Sequence, residues 1–287
     1  LEWLNWFRQS AGLQPVVADE SLRAAAMAHL DYMVINRNCS HSEDPSKPGY
    51  SAAGDAIGRS AAMYCGDKGD PGWDIRNWAM APFHAQVVFD PDMTNMLYVA
   101  NGERTLLVGV GRRHWSLRPQ SGRPFGLWPA DGMTLPRDMW DQTTGEVPDP
   151  YSFGNCATPD ATPDNFFNAP FYAMLPEAPV AGVSVSLRRP DGSTVSSANP
   201  GDLCFLTDRD TASMNGAGHW WVIGMYRNER QHGLWTATVS QPGKPDVSWS
   251  WTNSPADLDG LCPTTRQGCP GYGGGPIPPT PPASSSA

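Results

Sequence analysis

The sequence predicts an α+β protein in two parts: a helical N-terminal half closed by a buried strand, then an all-β sandwich and a tail. Three observations carry this. Apolar residues recur at helical spacing over roughly the first 118 positions. From about Pro124 the chain changes to short alternating runs separated by turn residues. The length of 287 residues exceeds what one core usually absorbs. The expected divisions are 1–118, 119–255 and 256–287.

Along the first part, Leu1, Leu4 and Trp3, Phe7 repeat at helical spacing before "GLQP" breaks the chain. Asp19 is the expected N-cap of a second helix with Leu22, Ala26, Leu30 and Met33 on one face, ending near Asn36–Asn38. "CSHSEDPSKPGY" (39–50) is a polar loop ending in a turn. "SAAGDAIGRSAAMY" (51–64) is Ala-rich, so a helix capped by Ser51 is expected there. "WDIRNWAM" puts Ile75, Trp78 and Ala79 on one face of a short helix stopped before Pro82, and "TLLVGVG" (105–111) is a buried strand.

In the second part, Val183, Val185 and Leu187 alternate up to a "PDG" turn and the pattern returns through Thr194 and Ser196, which predicts a hairpin. "LCFLT", "HWWVIGMY", "GLWTATV" and "VSWSWT" follow at strand-plus-turn intervals, the rhythm of a β-sandwich. The last thirty or so residues are rich in Pro, Gly and Ser, a composition that builds no core.

Composition narrows the function. Net charge is −9 and the 20 basic residues are scattered without runs, which argues against nucleic acid and against an anionic membrane surface as partners. No stretch of eighteen apolar residues occurs, so no transmembrane segment is expected. The chain opens directly on a helical pattern without a signal peptide and reads as a processed or trimmed form. The six cysteines lack CxxC spacing. Proximity pairs Cys39 with Cys65, Cys156 with Cys204 and Cys262 with Cys269, one of fifteen connectivities. An even count fits an oxidising compartment, extracellular or in the cell envelope.

Among chemistry-bearing residues, His41 and His84 each follow a helix, and Glu43 and Asp44 lie beside the first. If the helices pack, two imidazoles converge near a carboxylate, an arrangement suited to a divalent cation or to proton transfer. A separation of 43 residues is no ligand motif, and unrelated surface histidines are the commoner outcome of such a pattern. His29 shares a helix face with Leu22 and Met33 and reads as a core histidine; His114 reads as closing a domain edge. The tryptophans of the β runs read as sandwich core rather than a sugar platform. Asp202, Asp208 and Asp210 fit no EF-hand spacing and read as surface turns. No GxSxG occurs, and Ser42 has no nameable orienting partner for nucleophilic work.

The order "LNWFRQSAGLQPVVADESLRAAAMAHLDYM", "CSHSEDPSKPGYSAAGDAIGRSA", "WAMAPFHAQVVFDP", "LLVGVG" resembles the CAP superfamily, that is, the cysteine-rich secretory, antigen 5 and pathogenesis-related proteins, and its bacterial SCP-like branch most. The resemblance covers about Leu1–Arg118. It implies an α-β-α sandwich with a cleft where two His and two acids bind a divalent metal such as zinc. His41 and His84 match the family's two His. "GDAIG" matches its Gly-Glu-Asn-Ile element, with Asp55 in the Glu place and Ala56 in the Asn place, and Glu43 is the other carboxylate. The implied metal set is therefore His41, His84, Glu43 and Asp55, with Asp74 nearest to the family's second acid. "LWPADGMTLP" and "VSWSWTNS" resemble the opening and closing strands of Ig-like or fibronectin-like modules. Three functions follow. The first is an exported protein binding a divalent metal, a small apolar ligand or a cell-envelope component; the second is a metal-assisted hydrolase of peptide, ester or glycan using Glu43 or Asp55 as base. The third is an adhesion or glycan-binding protein acting through the β part.

Overall fold

The computed structural model describes residues 1–66, 71–102, 104–111, 124, 126–140, 146, 149–159, 170–210, 220–227 and 231–256. The N-terminal part holds α1 (Glu2–Ser10), β1 (Val17–Ala18), α2 (Arg23–Ile35), α3 (Ala52–Gly58), β2 (Ala62–Cys65), α4 (Pro71–Met80), α5 (Ala85–Phe89), β3 (Met93–Asn101) and β4 (Arg104–Gly111). Its sheet has the order β1-β3-β4-β2, with β1 parallel to β3 and the other pairs antiparallel.

Period-two alternation gives this sheet two apolar faces. Met63, Leu97, Val99, Leu106 and Val108 pack against Ala26, Leu30 and Met33 of α2. Ala62, Met96 and Leu107 join the core of Leu4, Phe7, Ile75, Trp78, Val88 and Phe89 from α1, α4 and α5. Helices therefore cover both faces, the layered arrangement the resemblance implies. Asp19 does cap, accepting from the Ser21 N–H, but what it caps is a single 3-10 turn leading into α2. Ser51 caps α3 by accepting from the Gly54 N–H. The helix expected over 51–64 stops at Gly58, because 62–65 pair with β4 and bury Ala62 and Met63.

Arg8 sets the packing of this part. Its side chain is fully buried and donates to four carbonyls: Gln14 (3.0 Å), Val88 (2.9 Å), Asp90 (2.8 Å) and Met93 (3.1 Å). Burial brings its pKa down to about 10, with Asp90 opposing. One guanidinium thus joins the turn after α1 to the end of α5 and the start of β3.

The second part holds β5 (Gly126–Trp128), β6 (Met133–Leu135), α6 (Arg137–Trp140), β7 (Phe171–Leu175), β8 (Ser184–Arg188), β9 (Thr194–Ser196), β10 (Leu203–Thr207), β11 (Trp220–Tyr226), β12 (Gly233–Ser240) and β13 (Val247–Asn253). They form two sheets, β10-β11-β7-β5 and β6-β13-β12-β8-β9. The predicted hairpin is β8 with β9, paired from Ser186↔Ser196 to Arg188↔Thr194.

The two sheets differ in sequence texture for a physical reason. β12 and β13 alternate buried and less buried residues, because one face meets the core and the other is turned away from it. β7 is buried at every residue and β11 at all but its first. One face of that sheet, with Phe171 and Tyr226, packs on Trp235, Trp249 and Trp251. The other face, with Trp128 and Tyr172, packs on Phe7 and Phe89 of the N-terminal part. The Tyr172 hydroxyl also donates to the Ala79 carbonyl at 3.0 Å. The core is consequently continuous across both parts. Gly224 is required in β11, since a Cβ there would lie 1.9 Å from the Phe171 ring.

Two expected disulfides are present, Cys39–Cys65 and Cys156–Cys204. The third expected pair, Cys262–Cys269, lies outside the described residues, as do His114 and the 256–287 tail beyond Ala256. Among the described residues no helix is long and apolar enough to cross a membrane.

Candidate functional site

His41 lies in the loop between α2 and α3, and several contacts hold that loop. The disulfide fixes Cys39 to β2. The Asp44 N–H donates to the Tyr32 hydroxyl at 2.8 Å, and the Glu43 N–H donates to Asp55 Oδ1 at 2.8 Å. His29 on α2 is fully buried and faces Glu43 Oε1 with Nδ1 (2.9 Å) and the Ser40 carbonyl with Nε2 (3.0 Å). Gly54 and Gly58 of α3 exist to accommodate this pair: a Cβ at either would lie 2.3 Å from Glu43 Oε1 or from the His29 ring.

His84 stands immediately before α5, at the end of the turn that follows α4. Its imidazole and that of His41 have centroids 6.4 Å apart with planes inclined at 35°. His41 Nδ1 lies 2.9 Å from the Gly58 carbonyl, which only accepts, so Nδ1 carries the proton. His84 Nδ1 lies 2.6 Å from Glu146 Oε1, which leaves Nδ1 as the donor there too. In a neutral ring each Nε2 then holds the lone pair, and no hydrogen bond among the described residues engages either one. Burial pushes the His41 pKa below its usual value, with the nearby His84 adding to the shift and the Gly58 carbonyl opposing it. A neutral imidazole with an anchored Nδ1–H is the form that binds a transition metal or accepts a proton.

The structure brings two of the four sequence-derived ligands together and engages the other two elsewhere. Glu43 is buried, and its Oε1 and Oε2 meet His29 and the Ser51 N–H (2.7 Å). Asp55 spends Oδ1 on the Glu43 N–H and Oδ2 on Arg59 Nε (2.9 Å). Asp74 is buried and accepts from the Tyr98 hydroxyl at 2.6 Å. These hydrogen bonds go to the loop, the helices and, for Asp74, strand β3 rather than to the imidazole pair. Among the described residues no group of three or more His, Cys, Asp or Glu is arranged to hold a metal ion.

The acid at the pair is Glu146, which sequence reasoning missed. It accepts from the N–H groups of Phe83 (2.9 Å) and His84 (2.7 Å) as well as from the ring. The available signal was weak: a lone Glu in "TTGEVPDP", with neither periodicity nor a neighbouring base.

Two further readings are settled by burial. Trp221, Trp235, Trp249 and Trp251 are at most 2% exposed, so they belong to the core. Asp208, expected in a surface turn, is buried and accepts from the Trp221 N–H at 3.0 Å, and its Oδ1 has no hydrogen-bond partner among the described residues. Burial raises its pKa to about 7, with Asp210 adding to the shift.

Residues 1–96 match the family model CAP, described as the cysteine-rich secretory protein family. This supports the CAP superfamily for the N-terminal part, and the match spans His41 and His84 but not Glu146. No curated protein matches the chain. Among solved structures, the crystal structure of the ZIG-8–RIG-5 IG1–IG1 heterodimer is similar over 30% of this chain and 74% of that one, at 15% identity and a TM-score of 0.18. A likeness that slight carries no argument about the second part.

Proposed function

We propose that this is an exported protein whose CAP-type part, residues 1–118, binds a divalent transition-metal ion through Nε2 of His41 and His84. A β module of Ig-like type, 119–255, follows it. The observation that carries the reading is the 6.4 Å separation of two imidazoles whose Nδ1 atoms are both anchored. With metal–nitrogen bonds of about 2.0–2.1 Å, two rings on one zinc have centroids no more than roughly 6.5 Å apart. That limit belongs to a straight N–Zn–N arrangement; a tetrahedral angle puts the centroids about 5 Å apart, so the rings would close by about 1 Å on binding. Two imidazoles fill half of a tetrahedral shell. The remaining positions are open to solvent oxygen or to a donor atom of a small ligand or cell-envelope component, which makes the site one of modest affinity and open access. Two disulfides and the family resemblance support an extracellular or envelope location.

The test is zinc titration by calorimetry on the wild type, His41→Ala and His84→Ala. A saturable heat lost in both variants is expected. Equal heats in all three proteins would overturn the reading.

Hydrolysis is the second reading, favoured by one observation. Glu146 fixes the proton on His84 Nδ1, which leaves Nε2 able to take a proton from water or substrate. A bound ion there would supply Lewis-acid polarisation. The base in this reading is His84 rather than Glu43 or Asp55, whose oxygens are engaged elsewhere. Turnover of peptide, ester or glycan panels, abolished by His84→Ala, would support it.

A further inference from the structure

We propose that Glu146 is the positioning residue of His84, so that the paired-imidazole site is completed by chain beyond the CAP-type part. The proposal rests on the metal-binding reading above for its affinity test, and on geometry alone for its structural test.

Five facts bear on it. The Glu146 side chain has no solvent exposure, whereas the His84 side chain retains 17%. Its carboxylate meets three donors of one short segment: the Phe83 N–H at 2.9 Å, the His84 N–H at 2.7 Å and His84 Nδ1 at 2.6 Å. α5 has no side-chain cap of its own and its first N–H groups bond backbone carbonyls, whereas Glu146 serves the Phe83 and His84 N–H groups just before the helix. Glu146 is 62 residues from His84 in sequence and outside the family-matched stretch 1–96. The inner acids, Glu43, Asp55 and Asp74, are committed to other partners.

The physical role follows from the donor set. An acid-only acceptor at Nδ1 fixes the tautomer, directs the ring, and makes Nε2 a better donor to a metal. The two backbone bonds tie the carboxylate to the same turn, so the ring and its orienting group move as one unit. His41 obtains the equivalent support from a local carbonyl, Gly58, inside the CAP-type part. The two halves of the site are thus oriented by different regions of the chain.

The experiment uses the full chain. Wild type, Glu146→Ala, Glu146→Gln and the exposed-carboxylate control Asp149→Asn are compared by long-range proton–nitrogen NMR of the imidazoles without metal, and by zinc calorimetry. The expected spectrum shows His84 protonated on Nδ1 in the wild type and control. In Glu146→Ala it moves toward the Nε2-protonated tautomer; Glu146→Gln, whose amide oxygen still accepts from Nδ1–H as the Gly58 carbonyl does for His41, keeps it, and His41 is unchanged in both. Zinc affinity should fall about 10- to 100-fold in Glu146→Ala, with Glu146→Gln between that and the wild type. If Glu146→Ala does not fold, Glu146→Leu, which removes the acceptor at similar volume, decides. A folded Glu146→Ala or Glu146→Leu that keeps the wild-type His84 tautomer overturns the proposal and makes Glu146 an acceptor for the Phe83 and His84 N–H groups only. If the wild type binds no zinc, the metal reading fails separately, and the tautomer result still decides the role of Glu146.

Discussion

Nδ1 of His29 lies 2.9 Å from Oε1 of Glu43, and neither side chain has any solvent exposure. The pair lies beneath the loop that presents His41, and both oxygens of Glu43 are used there. Removing one partner of a buried hydrogen-bonded pair leaves a desolvated polar group and typically costs about 3–5 kcal/mol. Glu43→Ala should lose stability on that scale in urea unfolding. A loss under about 1 kcal/mol would mean that the pair does not hold the loop.

Gly58 reports on both histidines. A methyl group at 58 would lie 2.3 Å from the His29 ring, and the Gly58 carbonyl is the acceptor for His41 Nδ1. Gly58→Ala should destabilise the protein by about 1–3 kcal/mol through overpacking. It should also weaken zinc binding by displacing that carbonyl. Wild-type melting and wild-type zinc heat together would refute the close packing.

Arg8→Lys tests the four-carbonyl hub. An ammonium has three donors on one atom and cannot reach carbonyls spread from Gln14 to Met93 as the planar guanidinium does. Each orphaned buried acceptor costs about 1–3 kcal/mol. A loss of several kcal/mol is expected for Arg8→Lys in denaturant titration, with more for Arg8→Ala. Melting temperatures within a degree of the wild type would contradict it.

Asp208 should give stability a pH slope. Its folded pKa is raised to about 7, above the ordinary value of 3.8, so the folded state holds a proton that the unfolded chain has released. Its contribution is favourable below about pH 4 and is lost as pH rises through about 7. The stability difference between Asp208→Asn and the wild type should therefore shift in favour of the variant from pH 5 to pH 8. Parallel curves would show that the carboxyl is ionised throughout.

The tryptophan at 128 links the two parts. Its ring centroid lies 5.2 Å from Phe7 and 5.1 Å from Phe89, and it is fully buried. Trp128→Ala should cost about 3–5 kcal/mol. Calorimetry of the wild type should give one cooperative transition, since a shared core couples both parts. Two well-separated wild-type transitions would count against that coupling.

Much of the fold could be read in the chain because local rules and tertiary packing agree there. Ser51 caps, β8 and β9 turn at "PDG", and the strands of the outer sheet alternate as their single buried face requires. The errors arose where packing overrode local preference. The Ala-rich run 51–64 reads as one helix, but 62–65 leave it to complete a sheet edge against β4. β3, "MTNMLYVAN", went unrecognised because its burial does not alternate cleanly between two covered faces. The encounter of His41 with His84 was legible only through the order of segments. Their oriented tautomers were not legible, because one partner is a backbone carbonyl and the other a distant glutamate without any local pattern.

The Cys39–Cys65 bond closes a macrocycle that contains both His41 and Gly58, while His84 and Glu146 lie outside it. The two imidazoles are therefore governed by unlike constraints. The first is tethered covalently and depends on the redox state of its surroundings. The second depends on non-covalent docking of later chain and on the cohesion of the whole fold. Reduction of that bond and a break in the chain between His84 and Glu146 would therefore disturb the same imidazole pair from opposite sides.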